Sequence, residues 1–418
     1  MSEKSTENLQ EGDRIRVTKE GKSYTGVLMP HHRFSGDDIV TIKLDNGYNI
    51  GLKVEEGDEL EVIEKGDKIS RQSPDSFSLD ESKPKIAILG TGGTIASYVE
   101  YKTGAVYPAQ SAEDMLLSNP EIAERCYPTM EVILSKFSED LEPEDWVDIA
   151  DKVVEKFEDG AEGVVIAHGT DTMGYTSAAL SVLLENLDKP VVLVGSQRSS
   201  DRPSSDAHLN LLGAIEVAKS GKGGVYVVMH GSMDDDRCSI HLGTKVRKMH
   251  TSRRDAFKSI NKEPVGWVEP ESGDINLDID ESNTDHKVKR RGDINPNVGI
   301  IYAHPGLNPE DIERLNEKDG LVIAGTGLGH INSKLVGTLQ EYINGGKPVV
   351  MTSQCLYGTV NDYVYASGRK LIEIGVIPGG DMLPETALVK LMWALTMDDV
   401  EEIMTTNTAG ELTDRRVR

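Results

Sequence analysis

The sequence predicts an α/β protein in which a small N-terminal β-barrel precedes a two-domain body built on parallel sheets. Three observations carry that expectation. Short runs at strand period fill the chain to about residue 64, a polar stretch follows, and beyond residue 84 buried-strand runs alternate with helical segments. At 418 residues the chain also exceeds what one hydrophobic core usually serves, so two or three domains are expected.

In the first module Ile15 and Val17, then Val27, then Val40, Ile42 and Leu44, and finally Leu60 and Val62 mark strands whose side chains alternate between two faces. Between Leu44 and Tyr48, Asp45-Asn46-Gly47 signals a hairpin, because Asn-Gly tolerates the positive φ of a tight turn. An SH3-like barrel over residues 1–75 follows. No clustered acid, base or nucleophile accompanies these strands, so packing or partner contact is their expected role. A Ser-, Asp- and Lys-rich stretch then reads as a linker, placed at 76–83.

The second domain, 84–270, carries apolar runs at Ile86–Leu89, Val164–Ala167, Val191–Val194 and Val225–Met229, each stopping at polar or glycine-rich residues. Thr172–Leu187 and Asp206–Lys219 are its expected crossover helices, the latter with Asp206 as N-cap and Gly221 just past its end. Acidic, turn-rich residues 271–297 read as a connecting segment. The rhythm resumes in a third domain, 298–418, at Ile300–Ala303, Leu321–Ala324 and Val349–Met351, closed by a helix over Glu385–Leu395 with Pro384 in its first turn.

Composition narrows the function. With 45 basic against 70 acidic residues, the summed field repels polyanions, so the chain alone is a poor nucleic-acid binder. Its densest basic run, Lys287, Lys289, Arg290 and Arg291, reads as a solvated loop face. Cys126, Cys238 and Cys355 lie far apart and give neither a disulfide framework nor a metal-ligand pair, which fits a reducing compartment and no metal. There is no charged-then-apolar leader and no apolar run approaching the roughly 18 residues of a membrane span, so a cytoplasmic protein without membrane contact is expected.

Two strand ends carry the chemistry. Gly90-Thr91-Gly92-Gly93-Thr94 follows the run Ile86–Leu89, and its glycines either cradle a ligand or merely turn the chain. It lacks the Lys-Ser/Thr ending of a P-loop and the G-x-G-x-x-G of a dinucleotide fold. His168-Gly169-Thr170-Asp171-Thr172-Met173 follows Val164–Ala167 and opens a helix, where Asp171 is also favoured by the helix dipole. Both ends place threonines in what would be one crevice.

Thr91-Gly92-Gly93-Thr94-Ile95-Ala96 and His168-Gly169-Thr170-Asp171-Thr172 resemble the two signature motifs of bacterial-type L-asparaginases. The resemblance runs from about Lys85 to beyond Leu395 and includes Gly195-Ser196-Gln197-Arg198 and Ala324-Gly325-Thr326-Gly327, so the body is expected to be asparaginase-like. The barrel lies outside it. An asparaginase-like body behind such a barrel resembles the D subunits of archaeal glutamyl-tRNA(Gln) amidotransferases. Residue by residue, Thr94 resembles the family's first catalytic threonine, Thr170 the second, Asp171 the carboxylate beside it and Lys248 the activating lysine. Lys248 is placed by the downstream register through Phe257, Lys258 and Ser259. Tyr107 resembles the lid tyrosine, and Ser138 and Glu139 the substrate-binding pair.

A threonine hydroxyl needs a base or proton relay at neutral pH, and a lysine serves only where burial or a nearby cation lowers its pKa. Arg247 either provides that cation or faces solvent. His330 stands where the plain asparaginases carry an asparagine reaching a neighbouring subunit, and Gln354-Cys355-Leu356-Tyr357 also departs from them, which leaves substrate choice and subunit contacts open. The resemblance implies a subunit that releases ammonia from glutamine or asparagine. It implies no cofactor in this chain, ATP and Mg in a second subunit that handles tRNA, and a homodimer core in a hetero-oligomer. A free-standing L-asparaginase and a catalytically dead amino-acid sensor are the alternatives. The four residues Thr94, Thr170, Asp171 and Lys248 together argue against the sensor.

Overall fold

A computed structural model describes residues 9–10, 12–29, 38–44, 49–55, 57–65, 79–92, 97–100, 105–108, 121–198, 204–279, 286–361 and 363–413. In the N-terminal module β1 (Arg14–Lys19), β2 (Lys22–Leu28), β3 (Ile39–Leu44), β4 (Asn49–Lys53) and β5 (Glu59–Glu64) form one antiparallel sheet, ordered β4-β3-β2-β1-β5. Alternation along β1 builds its small core. Ile15 and Val17 are fully buried with Ile42, while Arg16 faces out and pairs with Glu61. The register Ile42↔Ile50 joins β3 to β4 as the hairpin signal requires, although Asn46 and Gly47 themselves lie outside the described residues.

The body continues with β6 (Lys85–Gly90), the hairpin β7–β8 (Ser97–Glu100 and Ala105–Pro108), β9 (Tyr127–Val132), β10 (Gly163–Ala167), the short β11 (Leu184–Glu185), β12 (Pro190–Val194), β13 (Gly224–His230), β14 (Cys238–Leu242) and the hairpin β15–β16 (Val246–Lys248 and Phe257–Ser259). Its large sheet runs β9-β6-β10-β12-β13-β14 and continues through Gly266–Val268 to the edge strand Ile275–Leu277. From β9 to β13 the strands are parallel, as expected. From β14 outward they are antiparallel, and for β13 and β14 the reason is that residues 231–237 are too few for the crossover that a parallel neighbour needs.

Two sequence expectations change here. The segment 271–297 is more than a connector: Ile275–Leu277 joins the large sheet, and Lys289–Arg290 pairs with β11. Strands of two or three residues leave no periodicity to read. The basic run keeps its solvated face, with Lys287, Lys289 and Arg291 exposed, but Lys289 and Arg290 form a short strand and not a loop. Lys289 pairs with Glu185, Arg290 with Asp151, and the Arg291 guanidinium sits 5.4 Å from the Trp393 ring centroid. Acidic residues brought in by the fold absorb these charges, and sequence spacing alone does not reveal them.

Strands Val298–Tyr302, Gly320–Gly325, Val349–Ser353 and Ile377–Pro378 form the second, parallel sheet. The closing helix spans Pro384–Ala394. Its Ala387, Leu391 and Trp393 share one core with Leu180 and Leu183 of helix Met173–Leu183 and with Val322 and Val350 of the second sheet. The two α/β domains are therefore welded by a common core.

Strand order fixes where a ligand site forms. After β6 the chain moves to β9 on one side, whereas after β10 it moves to β12 on the other. The carboxyl ends of β6 and β10 thus flank a topological switch point, the crevice where open α/β sheets bind ligands. The described residues of the two predicted motifs, 90–92 and 168–173, stand at these two ends.

Candidate active site

At the end of β6 the Thr91 N–H and hydroxyl both donate to Ala167 O of β10, at 3.0 and 3.1 Å. The crevice is thereby closed at its base. Beside it, Ser138 starts a single 3-10 turn, Ser138–Asp140, and is buried. A Cβ on Gly169 would lie 2.7 Å from Ser138 Cβ, and the Thr172 hydroxyl donates to Ser138 O at 2.7 Å. Glycine is thus what lets the Thr170 turn rest on Ser138. Glu139 is exposed beside it.

His168 anchors the same turn from below. Its Nδ1 meets Gly169 O at 2.6 Å, which makes Nδ1 the protonated nitrogen and leaves Nε2 to accept from the Thr176 hydroxyl at 2.9 Å. Burial pushes its pKa down to about 4, so the ring is neutral and structural.

The hairpin β15–β16 brings Lys248 to this turn. Its Nζ donates to Thr170 Oγ1 at 2.9 Å and to Asp171 Oδ1 at 2.8 Å. The lysine side chain is 15% exposed and that of Asp171 65%, so the base candidate is sheltered while the carboxylate faces the open side. Alternation along β15 sends Arg247 elsewhere, to Glu385 of the closing helix at 2.8 Å. It is neither a helper of Lys248 nor a solvated residue. Lys245 is fully buried and paired with Asp381 at 2.7 Å, which removes it from the crevice.

Three sequence-predicted residues, Thr170, Asp171 and Lys248, therefore meet, with Ser138 against the same turn. Thr94 lies outside the described residues. Tyr107 lies in β8, opposite Tyr98 of β7, and its side chain is outside the described residues. His330 is in the second domain, where its backbone bridges Thr326 and its ring meets Tyr365 edge-on at 5.2 Å. Among the described residues no cluster of three His, Cys, Asp or Glu side chains is placed to hold a metal ion. No described helix is long and apolar enough to cross a membrane.

Sequence reasoning passes over the residues behind the crevice. Asp206 has the look of a helix cap, yet its carboxylate serves the Gln197 and Arg198 backbone. His168 lies inside the second motif with no role that spacing assigns. A buried polar residue in an apolar helix, such as Asn210, is the signal that could have found them.

Known proteins bear on this arrangement. Residues 85–281 match the family model described as Asparaginase, N-terminal, residues 297–406 the Glutaminase/Asparaginase C-terminal domain, and residues 9–63 the GatD N-terminal domain. The chain is 48% identical to the D subunit of the glutamyl-tRNA(Gln) amidotransferase of Pyrococcus furiosus, over 97% of this chain and 95% of that one. It is 45% identical to the protein of the same name from Sulfolobus acidocaldarius, over 98% and 93%. Among solved structures, the thermostable L-asparaginase from Thermococcus kodakarensis is similar with a TM-score of 0.71 and 39% identity, covering 79% of this chain and 100% of that one. L-asparaginase I from Vibrio cholerae gives a TM-score of 0.68 at 32% identity, covering 79% and 99%.

Proposed function

The chain belongs to the family of glutamyl-tRNA(Gln) amidotransferase D subunits, asparaginase-like amidohydrolases, and from that premise we propose that it frees ammonia from glutamine or asparagine with a threonine nucleophile. The observation that carries this reading is the contact of Lys248 Nζ with Thr170 Oγ1. A hydroxyl aligned with an amine can pass its proton there as it attacks.

In this reading Lys248 first gives up a proton, and the oxygen of Thr94 or Thr170 then attacks the side-chain amide carbon as its own proton moves to the neutral Nζ. The tetrahedral oxyanion meets backbone N–H groups of the turn after β6 and of the Thr170 segment. Collapse breaks the C–N bond, and ammonia departs with a proton. Water then splits the acyl-threonine ester, releasing glutamate or aspartate and restoring the hydroxyl. Asp171 holds the substrate α-ammonium, Ser138 and Glu139 the rest of the amino-acid head, and Tyr107 belongs to the lid. The Asp171 carboxylate sits on Lys248 in the free chain. An α-ammonium that draws Asp171 to itself leaves Nζ with Thr170 alone.

Ammonia then serves a second subunit that binds tRNA, ATP and Mg and converts Glu-tRNA(Gln) to Gln-tRNA(Gln). This chain, with net charge −25, contributes no cofactor and forms a homodimer core in the cytoplasmic complex. The N-terminal module supports assembly over a free-standing enzyme, because the similar L-asparaginase structures leave about a fifth of the chain uncovered. The test is ammonia release and Gln-tRNA formation by the purified chain, with and without the second subunit, tRNA and ATP. Gln-tRNA formed by the chain alone would refute the division of labour.

A further inference from the structure

Behind the lysine–threonine pair the body buries a row of polar side chains that the proposed reaction does not use. Asp206 and Asn210 are fully buried, the first as N-cap and the second in the first turns of helix Ala207–Ala218. The Asp206 carboxylate accepts the backbone N–H of Gln197 at 3.0 and 3.1 Å and that of Arg198 at 2.9 Å. Asn210 Nδ2 donates to Gly195 O and to Asp206 Oδ2, both at 2.9 Å. Those two acceptors fix the amide orientation, so Oδ1 is the atom that accepts from His230 Nδ1 at 2.6 Å. Across the ring, Nε2 lies 3.3 Å from Asp235 Oδ1. Arg254 bonds Asp235 and also Met233 O.

The ends of this row reach the two halves of the site. At one end, a Cβ on Gly195 would lie 2.7 Å from His168 O and 2.8 Å from Thr170 Cγ2, so the Gly195–Arg198 loop rests on the turn that carries Thr170. At the other end Arg254 stands in the loop between β15 and β16, which Met249 N–H closes onto Ala256 O directly after Lys248.

We propose that Asp206, Asn210 and His230 are positioning residues, with His230 as the joint. Together with Asp235 and Arg254 they tie the Thr170 turn and the Lys248 hairpin to one frame, and so set the distance between hydroxyl and amine. This role deepens the reading of Lys248 and Thr170 and rests on it. The frame adds to the local holds at each end, His168 and Ser138 at the Thr170 turn and Arg247–Glu385 on the three-residue β15. A shift of a fraction of an ångström at either end moves a proton-transfer contact out of reach.

The test measures amide hydrolysis by the full chain. His230→Phe removes both ring contacts, whereas His230→Asn keeps an N–H donor where Nδ1 stands. His230→Phe is expected to lower kcat about 10- to 100-fold with KM within about 2-fold, and His230→Asn, which loses the Asp235 contact, to fall below parental kcat as Asp235→Ala does. Parental kcat in folded His230→Phe, or in folded His230→Asn, would overturn the proposal. Should His230→Phe fail to fold, Asp235→Ala decides at a side chain that is 61% exposed: lowered kcat at constant KM supports the frame, and parental kcat overturns it. Lys248→Ala in the same assay separates the failures. If it keeps hydrolysing, the reading of the site is wrong; if it is inactive beside a fully active His230→Phe, only the positioning role falls.

Discussion

Lys248 Nζ and Thr170 Oγ1 stand 2.9 Å apart although 78 positions separate them in the chain. Two side chains acting on one proton are expected to fail together. Lys248→Ala and Thr170→Ala should each lower kcat about 1,000-fold, within the range of lost acid–base catalysis, and the double variant should be no worse than either. Thr94→Ala should match them, whereas Asp171→Ala should act chiefly on KM. Additive losses in steady-state kinetics would show that the pair is not a unit.

Lys245 makes the opposite prediction. Its ammonium is buried against Asp381, whose carboxylate also accepts the Thr413 N–H and hydroxyl. Burial alone would raise the Asp381 pKa, yet Lys245 and Thr413 hold it below the usual range. Asp381→Ala strands a buried charge and should cost about 3 to 5 kcal/mol, read as a drop in Tm. Lys245→Met should lower Tm while leaving kcat of the folded enzyme near parental. A dead but stable Lys245→Met would contradict the separation of the two lysines.

Acid sensitivity should come from buried histidines. His168 titrates at about 4 when folded, lowered by desolvation, against about 6.5 when unfolded. The unfolded chain takes up the proton first, so stability is whole above about pH 6.5 and is lost as pH falls towards 4, roughly 3 kcal/mol from this group. His241, pushed down to about 3 by burial, acts in the same sense. Tm measured from pH 7 to 4 should fall less steeply for His168→Gln than for the parent. Identical slopes would assign the acid sensitivity elsewhere.

Deleting residues 1–75 should spare amide hydrolysis and weaken assembly with the tRNA-handling subunit. Each catalytic residue proposed lies beyond that module, whose strands pair among themselves and whose core of Ile15, Val17 and Ile42 is its own. Turnover by the truncated chain and its affinity for the second subunit test this. Unchanged affinity would remove the docking role.

Much of the fold and part of the site are legible in the sequence. Fully buried runs such as Val191–Val194 announce parallel strands, and turn residues after them announce a site at their carboxyl ends. The meeting of Lys248 with Thr170 follows from motif register. What stays hidden has physical causes. The turn to antiparallel pairing at β13 and β14 depends on the length of one loop, and the strand Ile275–Leu277 is too short to show a period. Arg247 looks available in sequence because Glu385, its partner, lies 138 positions away on the closing helix. Asp206 carries the signature of a helix cap, and only three-dimensional proximity redirects its carboxylate to Gln197 and Arg198.

The closing helix has a consequence for biosynthesis. Pro384–Ala394 completes the core shared by both sheets, and Lys390 on it pairs with Glu411 further on, both fully buried. A ribosome delivers these residues after every strand of the body, at about 5 to 20 residues per second. Until they emerge, the nascent body exposes Leu180, Leu183, Val322 and Val350 to water. Premature termination before residue 384 therefore leaves a polypeptide with both sheets encoded and its apolar seam open, a substrate for chaperones and proteases and not a partially active enzyme.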